Sequence, residues 1–155
     1  MRLTINDTAT ARLRMISGRL KDMKKFIESE AEQLTVMTKS AFDQGVEPST
    51  GNAFAPNAPA TVARKGSSKP LVDTGALRAS VLSTEAGNSA IISFGVPYAG
   101  YNVFGTTKTP RRNPLPVTVT GYNSFAIPTA GIAGAFWASL PERLKRFLLE
   151  RNGRR

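Results

Sequence analysis

Between Thr8 and about Gln44 the apolar residues Leu13, Ile16, Leu20, Met23, Ile27, Leu34, Met37 and Ala41 are spaced by threes and fours, with one gap of seven. That pattern predicts one stripe on one long α-helix. Asn6, Asp7 or Thr8 can cap its first free N–H groups, no proline interrupts it, and Gly45 suits the left-handed position that closes a helix. About 36 helical residues would extend ~54 Å at about 1.5 Å per residue. A helix of that length must outrun a small domain or pack on something else. Its charges are segregated: residues 8–25 hold six Lys/Arg and one acid, whereas Glu28, Glu30, Glu32 and Asp43 face only Lys39 in residues 26–44. This opposes the helix dipole, which favours acids first and bases last. A solvated face is the plain explanation; the alternative is an acidic partner lying against Arg12, Arg14, Arg19, Lys21, Lys24 and Lys25.

Composition narrows the chemistry. The 155 residues carry a formal charge of +10 and contain neither His nor Cys. A thiol nucleophile, an imidazole base, a His/Cys zinc site and disulfides are thereby excluded. A hydrophobic share of 41% with 21% charged residues fits one folded domain over residues 1–155. No apolar run approaches the roughly 20 residues that span a bilayer, and the first residues lack the apolar core of a signal peptide. A cytosol-like setting is expected, with no membrane contact.

Residues 45–72 concentrate Gly, Pro, Ser and Asn and read as an extended loop, with one turn of helix near Ala58–Arg64. A loop this long is either functional or ordered by a neighbour. Residues 73–127 read as β-rich. A turn or helical piece at Thr74–Ala79 leads into strands Ser80–Glu85 and Ala90–Gly95 around an Ala86–Ser89 loop. A short helix at Tyr98–Phe104 follows, then a basic, proline-rich loop, and then strands Val117–Thr120 and Ser124–Ile127 around Gly121 and Asn123. Ser139-Leu-Pro-Glu142 has the capping-box form and predicts a C-terminal helix over 139–152, stopped by Gly153. Together these pieces predict an α+β fold. In it, a small, mainly antiparallel sheet packs against the long N-terminal helix and a shorter C-terminal one, and the long loop orders on assembly.

Few motifs carry chemistry. Leu71-Val-Asp-Thr-Gly-Ala76 resembles the catalytic loop of retroviral-type aspartic proteases, where two such loops share a proton between paired carboxylates. Here a helix and a Gly/Ser/Pro-rich loop precede Asp73 in place of strands. The simpler reading is that Asp73 and Thr74 cap the short turn and Gly75 eases its bend. A homodimeric protease using Asp73 is kept as an alternative. Lys65-Gly-Ser-Ser-Lys69 lacks the spacing of a phosphate-cradling loop. The clusters Lys108/Arg111/Arg112 and Arg143/Lys145/Arg146/Arg151/Arg154/Arg155 can contact phosphates, but aromatics are not interleaved with them and no DNA-reading motif is present. Non-specific DNA binding is a second alternative. Tyr98, Tyr101, Phe104 and Trp137 read as core or interface anchors, and no cofactor, metal or small-molecule substrate is expected.

The order of the pieces resembles the virion-morphogenesis and tail-completion proteins of tailed bacteriophages. After the long helix come Ala58-Pro-Ala-Thr-Val-Ala-Arg-Lys65 and Lys69-Pro-Leu-Val-Asp-Thr-Gly-Ala-Leu-Arg-Ala-Ser-Val81, then Pro97-Tyr-Ala-Gly-Tyr-Asn-Val-Phe-Gly-Thr106. In that family an Asp-Thr-Gly string precedes a hairpin and a Tyr-Ala…Phe-Gly-Thr string follows it. The likeness covers roughly residues 8–106; Tyr101-Asn102 stands where the family often has His, and Thr109–Leu115 is a loose counterpart of its next segment.

The resemblance implies a virion protein without catalysis, assembled in the host cytoplasm as a ring, often six-fold, at the head–tail junction or the top of the tail. Its partners would be further copies of itself, neighbouring connector, neck and tail-tube proteins, and genomic DNA in the lumen. The expected assembly residues are Leu71, Asp73, Thr74, Gly75, Leu77, Tyr98, Tyr101, Phe104 and Gly105. Arg12, Arg14, Arg19, Lys24, Lys108, Arg111 and Arg112 are candidates for contact with DNA or an acidic partner.

Overall fold

The apolar stripe forms helix where its spacing predicts, but the helix is broken once. In the computed structural model, which describes residues 8–86, 89–121, 124–126 and 131–149, helix α1 spans Thr8–Lys21 and helix α2 spans Met23–Gln44. Asp22 separates them, at φ −92° and ψ 9°. Its N–H donates to the Arg19 carbonyl and its own carbonyl accepts from Lys25, both at 3.0 Å. The single helix expected over 8–44 is therefore two. The break falls on a residue whose short polar side chain competes with helical backbone bonding. Gly45 ends α2 as expected, at φ 72°, its N–H bonded to the Ala41 carbonyl. The capping positions Asn6 and Asp7 lie outside the described residues.

The loop-like stretch 45–72 is held by its own chain. A tight turn follows α2, closed by a bridge between Val46 and Ala53 and by the Phe54 N–H on the Gly45 carbonyl at 2.8 Å. Helix α3, Pro59–Lys65, then forms one residue beyond the expected start, with proline in its first turn. Helix α4 (Ala76–Ala79) leads into strands β1 (Val81–Ala86) and β2 (Ser89–Phe94), antiparallel with Val81 opposite Phe94. The tip residues Gly87 and Asn88 lie outside the described residues. Helix α5 (Ala99–Phe104) follows, then a second antiparallel pair, β3 (Thr118–Gly121) and β4 (Ser124–Ala126), with an irregularity between Val119 and Gly121. Asn123 and Ile127 lie outside the described residues. The fold is α+β, with two separate two-stranded sheets and a helix at each end.

The C-terminal helix α6 spans Gly131–Leu149, starting eight residues before the capping box, with Pro141 inside it. Ser139 does not cap: its hydroxyl donates back to the Phe136 carbonyl at 2.9 Å. Docking decides the start. The Ala133 N–H donates to the Pro48 carbonyl at 3.0 Å, and Gly131, at φ 67°, sits where a Cβ would lie 2.7 Å from that oxygen. Residues 150–153 of the expected helix and stop lie outside the described residues.

Helix α6 runs antiparallel along the α1–α2 pair. Its start meets the turn after α2, its middle meets Glu30, and Phe147 meets Phe26 at 5.2 Å between ring centroids. On its other side α2 packs on both strands of the first hairpin. Phe42, Leu77, Val81 and Ala99 form the buried centre there, with Leu71, Val72, Ile92, Phe94 and Val96 packed around it. Serving two neighbours splits the stripe: Leu34 and Ala41 are buried, joined by Thr38 and Phe42, while Met37 is left half-buried at the side.

Candidate assembly cleft

Two turns that are distant in sequence face each other across a cleft of about 400 Å³. One wall is the segment from Leu71 to Leu77. Leu71 adopts φ 59°, a left-handed conformation unusual for a residue with a Cβ, while its side chain packs against the buried centre. The Thr74 hydroxyl accepts the Ala76 N–H at 3.3 Å, and Gly75 enters α4 at φ 80°. Thr74 thus ties down the turn, as the sequence suggests. Asp73 does not share that role: its carboxylate meets Arg64 of α3 at 3.5 Å, with both side chains largely in solvent. Irregular chain, not a strand, precedes it, and among the described residues it is the single carboxylate lining the cleft.

The opposite wall comes from α5 and the loop after it. Ala99 and Val103 are buried, so the helix turns Tyr98 towards the cleft with 43% of its surface exposed. At Gly105 the chain reverses at φ 76°, where a Cβ would lie 2.9 Å from the Arg111 nitrogen. The loop then folds back, its Arg112 N–H donating to the Asn102 carbonyl at 2.7 Å.

Side chains bonded to carbonyls brace the region. Arg112 donates to the Ala55 and Pro56 carbonyls at 2.6 and 2.7 Å. Its burial pushes the guanidinium below its ordinary pKa, though such a group stays charged at neutral pH. The Asn57 amide donates to the Ser68 and Lys69 carbonyls, each at 3.1 Å. Lys65 adds a bond to the Lys69 carbonyl at 2.9 Å.

Of the residues expected to act together, Leu71, Asp73, Thr74, Gly75, Leu77 and Tyr98 line this cleft, and Lys108 and Arg112 join them. Gly105 shapes the supporting loop. Tyr101 is outside the lining and 65% exposed, and Phe104 is half-buried away from it.

The basic residues divide by what they already hold. Arg14 is exposed on α1, and the side chain of Arg12 lies outside the described residues. Arg19 donates to the Phe147 carbonyl and sits 6.0 Å from that ring. Lys24 meets Glu28 at 3.9 Å. Arg111 meets Glu47 at 3.6 Å and the Val119 carbonyl at 3.1 Å. The Lys108/Arg111/Arg112 cluster therefore offers Lys108 outward while the two arginines bind their own chain.

Two anchoring residues, Arg143 and Asn113, are not evident from the sequence, while a third, Trp137, is an anchor as its type suggests. Arg143 belongs to a basic run yet is drawn inward to Glu30 at 2.7 Å, while its guanidinium carbon lies 4.1 Å from the Phe136 ring centre. Asn113 is fully buried, its amide donating to the Val117 carbonyl at 2.5 Å and its oxygen accepting the Leu115 N–H at 3.0 Å. Trp137 donates its indole N–H to the Pro116 carbonyl at 2.7 Å, joining α6 to the loop. The one trace of the first is the gap of seven in the apolar stripe, because Glu30 sits inside it.

Among the described residues no group of three or more His, Cys, Asp or Glu can hold a metal ion, and no helix is long and apolar enough to cross a membrane. No protein-family model matches the chain, and searches of curated proteins and of solved structures find no match either.

Proposed function

We propose that this chain is a structural protein of a tailed-phage virion that works by assembly, as a ring at the head–tail junction or the top of the tail, with no catalytic step. The observation that carries the reading is the meeting of the two phage-like strings, Lys69–Val81 and Pro97–Thr106, across one cleft. The first hairpin joins the strings end to end, Val81 opposite Phe94, and an assembly role gives the surface they share a use. Supporting it, the first hairpin has only two strands, so each carries an outer edge with no strand partner among the described residues. Leu82 and Ile91 are 56% and 49% exposed on the same hairpin. Unpaired edges beside exposed apolar side chains are ordinary in a subunit and a liability in a monomer.

In this role the Asp73 turn and Tyr98 contact a neighbouring subunit or tail component. Of the candidate cations, Lys108 and Arg14 are exposed and available to an acidic neighbour or to DNA in a lumen. The test is the mass of the native assembly together with co-sedimentation on isolated tail tubes and connector rings. Closed rings that bind one of these are expected. A chain that stays monomeric and binds neither would overturn the reading.

A further inference from the structure

Two unpartnered surfaces on this chain complement each other, and the chain cannot bring them together by itself. The first is on α1. Leu13 and Leu20 are 65% and 52% exposed and stand seven residues apart, so they form one row spanning about 10 Å. Arg14 and Lys21, both exposed, form the adjoining row, and α1 contains no acidic residue.

The second is a groove of about 550 Å³ along the C-terminal part of α2 and the first turns of α6. Val36 and Ile132, 62% and 54% exposed, present apolar surface in it, with Met37 and Phe136 beside them. The α2 residues lining it run from Ser29 to Gln44, about 22 Å of helix, long enough for both leucines of α1. Its lining carries a carboxylate and no cation among the described residues: Glu32 is exposed, has no ion pair among them, and stands one turn before Val36.

We propose that α1 of one copy lies in the α2–α6 groove of a second copy, Leu13 against Val36 and Leu20 against Ile132, with Arg14 towards Glu32. An amphipathic helix in an apolar groove, anchored at i and i+7, is a recurrent mode of recognition. The contact must be between copies. The chain's own α1 leaves the opposite end of α2 and is tied by Arg19 to Phe147, near the far end of α6. The proposal rests on the ring reading above and gives it a mechanism. Donor and acceptor surfaces differ, so each copy gives one helix and receives one, and such head-to-tail contacts close into rings when the rotation permits.

The absence of cysteine allows a direct test in the full-length chain. Leu13→Cys and Val36→Cys are made singly and together, and oxidised. The double variant should give a covalent ladder whose top rung counts the subunits, while neither single variant cross-links. Independently, Glu32→Arg should weaken association about tenfold by placing like charges together, and adding Arg14→Glu should restore it. A wild type that assembles while the double variant forms no ladder overturns this contact and leaves the ring standing. Cross-linking by either single variant as efficient as by the double does the same, because it shows a symmetric contact. A monomeric wild type removes both readings.

Discussion

The helical half and the loop half of this molecule are held together in different ways. Along α1, α2 and α6 the links are chiefly between side chains: the Glu30–Arg143 ion pair, the Phe26–Phe147 contact and the guanidinium of Arg143 over Phe136. Around the cleft they are chiefly from side chain to main chain, with Arg112, Asn57, Asn113 and Lys65 each bonding carbonyls of segments that lack regular partners. Helices satisfy their own backbone and leave side chains free to choose neighbours. Irregular chain has to borrow donors, and a buried carbonyl without one is costly.

That contrast predicts a graded set of outcomes. The largest effect is expected from Arg143→Ala, which strands a carboxylate with only 11% of its side chain exposed; the loss should be about 3 kcal/mol in urea unfolding. Hydrogen exchange should rise along α6 and α2 and not in the cleft loops. Replacing both partners, as Glu30→Leu with Arg143→Leu, should recover most of the loss, since an apolar pair needs no compensation. A double variant as weak as the single would show that the pair does more than neutralise itself.

Asn113→Ala comes next, at about 2 kcal/mol, because the part-buried Val117 carbonyl and Leu115 N–H lose their partner together. Its exchange increase should stay within residues 113–119; spread into α6 would break the division between halves. Gly105→Ala should cost about 1.5 kcal/mol, from the positive φ and the close approach to Arg111. Its readout is a lower melting temperature with the helical half still protected.

The smallest effect belongs to Asp43 and Arg78, which join α2 to α4 at 2.8 Å in solvent. The hydrogen bond from Arg78, and then its charge, hold the Asp43 carboxyl below its ordinary value of 3.8. A lowered carboxyl pKa contributes stability that is present above the unfolded value and lost as pH falls through the folded one. Asp43→Asn should therefore be slightly less stable than the wild type at neutral pH, and the difference should vanish as the pH falls below about 4.

The same contrast explains what was legible beforehand. The stripe Leu13 to Ala41, the Gly45 stop and the alternation of β1 and β2 are local and periodic, so helices and strands could be placed from spacing alone. The start of α6 was hidden because it is fixed by the Pro48 carbonyl, 85 residues before Ala133, which overrides the capping signal at Ser139. The break at Asp22 was missed because the stripe continues through it. Within the site, the hairpin between the two strings was legible, and its pairing of Val81 with Phe94 brings their ends together. The brace from Arg112 to Ala55 and Pro56 was not, because no spacing rule encodes so long-range a bond.

Trp137 has a further use. It is the single tryptophan of the chain, and its indole donates to Pro116 where the two halves meet. Intrinsic fluorescence therefore has one emitter, placed at the seam. Separation of α6 from the loop would replace a carbonyl partner with water and shift the emission to longer wavelength, even with helix content unchanged. One optical channel thus follows the joint between the halves while circular dichroism follows the helices, and a lag between the two signals would time the order in which they part.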